Sequence, residues 1–335
     1  MFDVAVVGAT GAVGSTMLRV LEERGFPVTN LVPLASAKTA GRELEYLGKP
    51  FAVRELTPDA FEGVQIALFS AGGSRSREFA PAAVEAGAVV IDNSSAYRMD
   101  PAVPLVVPEV NEADLKRHSG IVANPNCVAA PLVVALKPLA DVVGLERVVL
   151  SSYQSVSGTG AAAVEELRAQ TAGYLAGNEP EPSVYPHPIA FNVLPHIDVF
   201  DDNGYTGEEI KVMNETRKIL GLPDLALSAT CVRVPVMQAH SISVQIETSE
   251  KLDADRARRL LMAAPGLVLV DEPQANRYPL PREATGRDEV FVGRIRDDSS
   301  HPRGLAMWVV GDNLRKGAAT NAVQIAESLV TNGWL

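Results

Sequence analysis

The segment Asp3-Val-Ala-Val-Val-Gly-Ala-Thr-Gly-Ala-Val-Gly14 decides the fold of the N-terminal part of the chain. Residues 3–8 predict a short buried strand, and residues 12–24 predict a helix with an apolar stripe. Glycines in the turn between them allow the backbone to approach a pyrophosphate, whose charge the helix N-terminus binds. The spacing G-x-x-G-x-x-G is looser than the strict dinucleotide fingerprint, so an ordinary glycine-rich turn is the alternative. We expect a dinucleotide site here.

The strands that follow predict a parallel sheet. They fall at about 28–35, 64–69 and 88–91, with a helix near 75–86. Their residues are apolar throughout rather than at every second position, which is typical of a parallel sheet covered by helices on both faces. The fold class is therefore α/β, beginning with a Rossmann-like dinucleotide-binding domain.

The character of the sequence changes near residue 128. A longer strand is predicted at 147–156, and strands of alternating character are predicted at 229–236 and 241–248. Their alternation suits an antiparallel sheet with one exposed face, which a homodimer would naturally cover. We expect a larger α+β catalytic and dimerisation domain over 129–313. The last helix, about 316–331, should return to the dinucleotide-binding domain, which then comprises 1–128 and 314–335.

The composition argues against several classes of protein. The 335 residues include 30 basic and 41 acidic side chains, and the net charge of −11 argues against nucleic-acid binding. No apolar run reaches membrane-spanning length, and the N-terminus lacks the basic region and cleavage site of a signal peptide. Two cysteines argue against a disulfide framework and favour a reducing compartment. We expect a cytoplasmic protein that binds neither nucleic acid nor membranes and has no metal cofactor.

Cys127 is the candidate nucleophile. It lies in Ile121-Val-Ala-Asn-Pro-Asn-Cys-Val-Ala-Ala130, where an apolar strand turns into a helix. A thiol at a helix N-terminus faces unpaired backbone N–H groups and the positive end of the helix dipole, and both favour the thiolate. The alternative is an inert buried thiol, against which the Asn-Pro-Asn turn argues. Cys231, inside the predicted strand Ala229-Thr-Cys-Val-Arg-Val234, is expected to be such a buried thiol.

The loop after the second strand favours NADP over NAD. An NAD site usually places an acidic residue there for the ribose 2′-hydroxyl. Here the chain reads Leu34-Ala-Ser-Ala-Lys-Thr39, with a lysine among hydroxyls and no carboxylate, which suits a 2′-phosphate. An exposed polar loop is the alternative. A second loop, Ser70-Ala-Gly-Gly-Ser74, offers another close approach of the backbone to the cofactor.

A thiol nucleophile needs a partner that handles protons, and the chain offers five histidines. The pattern favours His240 only modestly over His196, for which a structural hydrogen bond is the better interpretation. His240 follows Arg233 across the link between two strands. Arg233 is central in an apolar strand, where a buried guanidinium needs an anion.

Two further cations lie near predicted ligand sites. Arg98 follows the carboxyl end of a strand, where open α/β sheets bind ligands. Lys211 stands one helical turn after Glu208, and spacing alone favours a solvated ion pair between them.

With these residues in place, the chain resembles the aspartate-β-semialdehyde dehydrogenases over nearly its whole length. The matching stretches are Gly8–Gly14, Ser70–Ser74, Asp92–Arg98, Asn124–Cys127, Gln154–Gly160, Gly207–Lys211, Arg233–His240 and Gly311–Gly317. One such motif would be weak, but this set in this order is specific. The short insertions and the Ala-Ser-Ala-Lys-Thr loop resemble the Gram-positive and mycobacterial branch.

The resemblance implies a role for each site residue. The implied catalytic residues are Cys127 as the acyl-thioester nucleophile, His240 as general acid/base and Gln154 as the residue that orients the substrate. The implied substrate residues are Arg233 for the α-carboxylate, Glu208 for the amino group, and Arg98, Lys211 and Asn126 for phosphate. The cofactor residues, from the resemblance together with the glycine-rich turn and the two loops, are Gly8, Thr10, Gly11, Ala12, Val13, Ser36, Lys38, Thr39, Ser70, Gly72, Ser157, Gly158 and Asn313.

The implied reaction is the reversible, NADP-dependent reductive dephosphorylation of L-aspartyl-4-phosphate to L-aspartate-4-semialdehyde. It would serve the biosynthesis of lysine and diaminopimelate, threonine, methionine and isoleucine. A dianionic acyl phosphate would explain a cleft shared by Arg98, Lys211 and Arg233 in an acidic protein.

Two rivals stay open. An N-acetyl-glutamyl-phosphate reductase would share the turn and the thiol, but its substrate offers no amino group to Glu208. A non-catalytic NADP-binding paralogue would keep the fold and lose the nucleophile or the base, whereas Cys127 and His240 are both present.

Overall fold

The computed structural model describes residues 1–178 and 181–335. Its strands, in chain order, are β1 (Phe2–Val7), β2 (Val28–Ala35), β3 (Glu43–Tyr46), β4 (Lys49–Ala52), β5 (Arg54–Glu55), β6 (Ile66–Phe69), β7 (Val89–Asp92), β8 (Ile121–Ala123), β9 (Leu145–Gln154), β10 (Ala226–Arg233), β11 (His240–Thr248), β12 (Leu267–Leu269), β13 (Val290–Asp297) and β14 (Gly304–Gly311). Its α-helices are α1 (Ala12–Glu23), α2 (Gly73–Glu85), α3 (Pro108–Asn111), α4 (Ala129–Val143), α5 (Ala161–Leu175), α6 (Gly207–Leu220), α7 (Ala254–Ala263), α8 (Pro281–Ala284) and α9 (Thr320–Asn332). The chain divides into two compact units, residues 1–126 with 318–335, and residues 127–317.

The first unit is built on a parallel sheet. Its six strands lie in the order β5-β2-β1-β6-β7-β8, and each neighbouring pair is parallel. The predicted Rossmann-like sheet is thereby confirmed. Because the strands are parallel, the carboxyl ends of β1, β2 and β6 meet at one edge, where the glycine-rich turn leads from β1 into α1.

Both faces of this sheet are buried, which explains why β1 is apolar at every position. Val4 and Val6 pack with α1 and α9 in one core, whereas Ala5 and Val7 pack with α2 in a second core. A strand between two layers of helices has no solvent-facing side. The C-terminal helix α9 is part of the first core, so its predicted return to the first domain is also confirmed.

The second unit contains a six-stranded mixed sheet in the order β10-β9-β11-β14-β13-β12. Strand β9 pairs parallel with β10 and antiparallel with β11. The expectation that the predicted strands 229–236 and 241–248 form one antiparallel sheet is therefore wrong in part, because β9 lies between them. Helices α5 and α6 occur in the chain between β9 and β10, and a crossover of that length permits parallel pairing.

The two faces of the mixed sheet differ in their cover. Helices α4, α6 and α7 pack on one face. On the other face the rings of Tyr153 and Trp308 lie 5.3 Å apart, and Tyr153 is 38% exposed. The alternation of buried and open positions along β9 follows from this one-sided cover.

Strand register brings three predicted site residues into one row at an edge of the mixed sheet. Arg233 ends β10 and is the register partner of Gln154, which ends β9. Strand β11 runs antiparallel to β9, so its first residue, His240, lies at the same edge. His240 in turn pairs with Gly311, the last residue of β14.

The unit boundaries assign Cys127 differently from the sequence prediction. The predicted boundary after residue 128 left Cys127 in the first domain, but the structure divides the chain between Asn126 and Cys127. Cys127 lies against Gly317 of the same unit, where an added Cβ would lie 3.0 Å from Cβ of Cys127. The second boundary falls between Gly317 and Ala318 instead of after residue 313.

Gly14 is closely packed against the backbone of the glycine-rich turn. An added Cβ would overlap the carbonyl oxygen of Gly8 and lie 2.8 Å from Cα of Ala9, both of them backbone atoms. We expect Gly14→Ala to lower the free energy of unfolding by about 1–3 kcal/mol, measured by urea denaturation followed by circular dichroism. The control is Gly173→Ala in α5, where an added Cβ meets nothing within 4 Å. That change should stabilise by up to about 1 kcal/mol, and equal stability of both variants would contradict the prediction.

Candidate active site

Cys127 and His240 form the centre of the candidate site. Cys127 lies in the turn that leads into α4, where the strand-to-helix pattern predicts it, and it is partly exposed. Its Sγ lies 3.3 Å from Nε2 of His240. A thiol and an imidazole at this distance are within hydrogen-bond reach, the arrangement that activates sulfur nucleophiles.

The hydrogen bonds of His240 determine which ring nitrogen carries the proton. The backbone N–H of Ser155 donates to Nδ1 over 3.0 Å, and the Ser155 hydroxyl lies 3.1 Å from the same nitrogen. A ring nitrogen that accepts from an N–H bears no proton of its own, so the neutral ring carries its proton on Nε2. That N–H faces the sulfur of Cys127. The pair can therefore stabilise a thiolate by donation from a neutral imidazole.

His240 is kept neutral by its surroundings. The side chain is 0% exposed, and burial lowers its pKa from 6.5 to about 3, with the charge of Arg233 as the second cause. The residue before it, Ala239, has a left-handed backbone with φ 70°. This conformation costs a non-glycine residue about 1–2 kcal/mol, and it is the kind of strain that clusters at functional sites.

Arg233 is a buried guanidinium suited to an anion. Its Nη1 donates to the backbone carbonyl of Ser155 over 2.7 Å, and the group lies 5.9 Å from the ring centroid of Tyr185. Its Nε is buried and finds no hydrogen-bond partner within the described residues. Because a carbonyl oxygen does not neutralise a guanidinium, the charge still calls for an anion, and a carboxylate would match its donors.

Gln154 and Glu208 make a direct contact. Nε2 of Gln154 donates to Oε1 of Glu208 over 3.2 Å, and both side chains are buried. Glu208 is the second residue of α6, where Thr206 and Glu209 form a capping box. The capping box uses Glu209 to satisfy the helix end, while the adjacent Glu208 presents a carboxylate to Gln154. A buried carboxylate suits a positively charged amino group.

Lys211 forms its ion pair with Asp198. The Nζ of Lys211 lies 2.5 Å from Oδ2 of Asp198, and both side chains are about one third exposed. The hydrogen bond from Lys211 is the main cause that lowers the pKa of Asp198. Asp198 has a left-handed backbone with φ 72°, which is uncommon outside glycine. Any anion that binds Lys211 must share it with this carboxylate.

Asn313 joins the polar network of the imidazole. Its Oδ1 accepts from the hydroxyls of Ser155 and Ser157, each over 3.2 Å, and from the backbone N–H of Ala239 over 2.9 Å. Asn313 and Ser157 are both predicted cofactor residues. They thus lie beside the groups that hold the His240 imidazole in place.

Gly158 lies against two charged or titratable groups. An added Cβ would be 3.1 Å from Nη1 of Arg233 and 3.3 Å from Nε2 of His240. Glycine at this position therefore keeps the N–H face of the imidazole open to a ligand.

Arg98 and Asn126 belong to the first unit. Arg98 is buried and donates from Nε to the carbonyl of Asn124 over 2.9 Å and from Nη2 to the carbonyl of Asn93 over 2.7 Å. These carbonyls orient the guanidinium without neutralising it. Asn126 is buried and directly precedes Cys127 in the chain.

The first unit holds a cavity of about 260 Å³ at the carboxyl ends of its strands. Its lining residues are Gly8, Thr10, Gly11, Ala35, Ser36, Thr39, Leu56, Ser70, Ala71 and Arg75. The predicted cofactor residues in this set are Gly8, Thr10, Gly11, Ser36, Thr39 and Ser70. The predicted cofactor residues of this unit that lie outside the described lining are Ala12, Val13, Lys38 and Gly72, whereas Ser157, Gly158 and Asn313 belong to the second unit. Lys38 is exposed, and Gly72 caps the N-terminus of α2.

The two cysteines differ as the sequence suggests. Both are free thiols. Cys231 is fully buried in β10, where burial, followed by the charge of Glu208, raises its pKa to about 12. Cys231 therefore stays protonated and acts as a packed apolar side chain.

Sequence reasoning missed three residues. Ser155 supports the imidazole mainly through its backbone, which no side-chain pattern reveals. Asp198 ends the stretch Leu194-Pro-His-Ile-Asp198, in which the sequence pattern indicates only His196 as a candidate. The ring of His196 stacks on Phe200 at 4.4 Å between centroids. Arg75 follows the Ser70–Ser74 loop directly, and that adjacency was the available signal.

Within residues 1–178 and 181–335, no three His, Cys, Asp or Glu side chains cluster in a way that would bind a metal ion. Over the same part of the chain, each helix is too short or too polar to cross a bilayer.

The depressed pKa of His240 predicts how stability depends on pH. The unfolded chain takes up a proton near pH 6.5, whereas the folded protein does not until about pH 3. Stability from this residue is therefore complete above pH 6.5 and is lost as the pH falls. Between pH 7.5 and pH 5 we expect the wild type to lose about 2 kcal/mol more than His240→Gln in urea denaturation. His187→Gln, at an exposed position, is the control and should follow the wild type; parallel losses in all three proteins would contradict the prediction.

Comparison with known proteins identifies the family. Residues 3–118 match the family model "Semialdehyde dehydrogenase, NAD binding domain", and residues 136–316 match "Semialdehyde dehydrogenase, dimerisation domain". An aspartate-semialdehyde dehydrogenase of Aquifex aeolicus is 56% identical over 99% of both chains. The crystal structure of aspartate semialdehyde dehydrogenase II of Vibrio cholerae, complexed with ASA, is 48% identical with a TM-score of 0.95, and covers 99% of this chain and 98% of its own. That of the Candida albicans enzyme with NADP is 25% identical with a TM-score of 0.79, and covers 100% of both. The chain thus belongs to the aspartate-semialdehyde dehydrogenases, a family of NAD(P)-binding oxidoreductases.

Proposed function

We propose that this protein reduces L-aspartyl-4-phosphate to L-aspartate-4-semialdehyde and phosphate, reversibly, through an acyl-thioester on Cys127. The observation that carries the proposal is the contact between the Cys127 thiol and the neutral imidazole of His240, beside the buried guanidinium of Arg233. Family membership and the ASA complex of the Vibrio enzyme support the substrate class. The product would serve the biosynthesis of lysine and diaminopimelate, threonine, methionine and isoleucine.

The first step is attack of sulfur on the acyl carbon. The Cys127 thiolate forms a C–S bond, and the bond between the acyl carbon and the phosphate oxygen breaks, so that phosphate leaves with the electron pair. Before the attack, the Nε2–H of His240 donates a hydrogen bond to the thiolate. This bond raises the population of the thiolate while the imidazole itself stays neutral. Lys211, Arg98 and Asn126 are the proposed ligands of the departing phosphate.

The second step is reduction of the thioester. NADPH, when bound, supplies the hydride that converts the thioester carbonyl into a tetrahedral oxyanion. The Nε2–H of His240 is the proposed donor to that oxygen, in the manner of an oxyanion hole. Collapse of the oxyanion breaks the C–S bond and returns the thiolate of Cys127, with release of the aldehyde.

This sequence of steps requires a hydrogen-bond donor at His240 and no net proton transfer through the ring. A general acid/base role, which the resemblance implies, needs a proton on Nδ1 at some stage. The Ser155 N–H points at Nδ1, and burial with the nearby Arg233 charge opposes the imidazolium. We therefore propose that His240 acts in its neutral form.

Substrate recognition would divide between two buried groups. Arg233 is the proposed partner of the α-carboxylate, because its guanidinium has a buried Nε with no described hydrogen-bond partner. Glu208, oriented by Gln154, is the proposed partner of the α-amino group. An N-acetyl-glutamyl phosphate carries an uncharged amide at that position, so the buried carboxylate favours the aspartyl substrate. The contact between Cys127 and His240 likewise argues against a non-catalytic paralogue.

The cofactor, assembly and location are part of the proposal. We propose NADP over NAD, supported by the hydroxyl-lined cavity of the first unit and by the NADP complex of the Candida enzyme. A homodimer is supported by the match to a dimerisation domain and by the partly exposed Tyr153. Two free thiols fit a cytoplasmic location.

The nucleophile is tested by NADPH formation from L-aspartate semialdehyde, phosphate and NADP. We expect phosphate-dependent activity in the wild type and a loss of about a thousandfold or more in Cys127→Ser, because a hydroxyl is a far weaker nucleophile. Cys231→Ser is the matched control and should keep activity within about twofold, since that thiol is buried in β10 and stays protonated. Equal losses in both variants would contradict the assignment, and an inactive, folded wild type would overturn the proposed function.

The donor role of His240 is tested by comparing His240→Gln with His240→Leu. Glutamine retains an N–H donor but cannot shuttle a proton, whereas leucine has no donor. We expect kcat to fall about tenfold in the glutamine variant and about 100- to 1,000-fold in the leucine variant. The wild-type profile of kcat/KM should have no step near pH 6.5, since the imidazole does not titrate there. Equal losses in the two variants, with a step near pH 6.5, would instead support acid/base catalysis.

A further inference from the structure

We propose that Arg75 binds the 2′-phosphate of NADP(H) and is the main source of the preference for NADP over NAD. The inference rests on the proposed use of NADP and assigns the residue that reads its distinguishing group. The sequence had pointed to Lys38 for this role, and the cavity of the first unit points to Arg75 instead.

The position of Arg75 in the fold is the first reason. Strands β2, β1 and β6 are neighbours, and all three end at the edge that holds the cavity. Ser36 directly follows β2, the place where a Rossmann-like fold meets the ribose 2′ position. Arg75, in the first turn of α2 after β6, lines the same cavity as Ser36 and Thr39.

The charge of the cavity is the second reason. Arg75 is the one charged side chain among the described residues of the lining, and it stands with the hydroxyls of Thr10, Ser36, Thr39 and Ser70. The hydroxyls of Thr39 and Ser70 donate to backbone carbonyls, which leaves those of Thr10 and Ser36 with the guanidinium as donors for a phosphate dianion. No described lining residue is a carboxylate that would repel it.

The absence of a competing partner is the third reason. Arg75 is exposed, and within residues 1–178 and 181–335 it has no ion pair and no side-chain hydrogen bond. By contrast, Arg98 and Arg233 both donate to backbone carbonyls. A guanidinium in the first turn of a helix is also opposed by the helix dipole, so the helix itself gains nothing from it.

Lys38 is the rival cation and fits less well. It is exposed and stands outside the described lining of the cavity. An ammonium group is a point charge, whereas a guanidinium offers a planar fork that can hold two phosphate oxygens. We therefore expect Arg75 to discriminate between the two cofactors more strongly than Lys38.

Calorimetric titration with 2′,5′-ADP and with 5′-AMP isolates the 2′-phosphate from catalysis. For Arg75→Ala we expect the affinity for 2′,5′-ADP to fall about ten- to hundredfold, as for loss of one charge-assisted contact, and that for 5′-AMP to change less than about twofold. Arg75→Lys should recover part of the loss. Lys38→Ala tests the rival cation and should weaken 2′,5′-ADP less than Arg75→Ala does. Arg77→Ala, at an exposed arginine two residues along α2, is the control and should change both affinities by less than about threefold.

Each outcome has a distinct meaning. A larger loss in Lys38→Ala than in Arg75→Ala, or equal weakening of both ligands in Arg75→Ala, would overturn the assignment of Arg75 and leave the proposed reaction standing. A wild type that catalyses the reaction but binds 2′,5′-ADP no better than 5′-AMP would overturn the inference as well. A wild type that neither binds NADPH nor turns over the semialdehyde would overturn the proposed function itself.

Discussion

The row of Arg233, Gln154 and His240 exists because β9 is shared by two partners, parallel β10 on one side and antiparallel β11 on the other. Two strands therefore end, and one begins, at the same edge of the sheet. Register is specified strongly where one sheet face is buried, since a slip of one residue would turn every side chain of the strand to the opposite face. The helices packed on the mixed sheet thus fix the positions of its polar end residues. The position of His240, the partner of the Cys127 thiol, therefore follows from hydrophobic packing elsewhere along the same strands.

The backbone of Ser155, immediately after that row, connects the charged and the neutral parts of the site. Its N–H donates to the imidazole of His240, and its carbonyl accepts from the guanidinium of Arg233. One peptide segment therefore orients both groups, and the guanidinium in turn opposes protonation of the imidazole. Buried polar groups of this kind are stable only when their donors and acceptors are matched. The Nε of Arg233 is the donor without a described match, which fits a site that a ligand completes.

Local sequence determined much of the fold, and long-range pairing determined most of the site. The first strand, its glycine-rich turn and the following helix were predictable because all their signals lie within one short segment. Cys127 was predictable for the same reason. His240 stood only modestly ahead of His196 because the register that places it beside the thiol joins strands far apart in the chain. The mixed parallel and antiparallel pairing of the second sheet had no sufficient signal in the local sequence. The same is true of helix α7 and strands β12 and β13. The pairing of Lys211 with Asp198 depends on a loop conformation that sequence periodicity does not encode.

The two thiols of the second unit differ in their expected reactivity. Cys127 is partly exposed beside an N–H donor, whereas Cys231 is enclosed in a strand with its pKa raised to about 12. The rate at which a thiol reacts with an electrophile depends on its thiolate population and on access. An alkylating probe applied to the folded protein would therefore label a single position per chain, with no need to remove the second cysteine. The native sequence is already suited to site-selective covalent chemistry, and the stoichiometry of labelling would report directly on whether the second unit is folded.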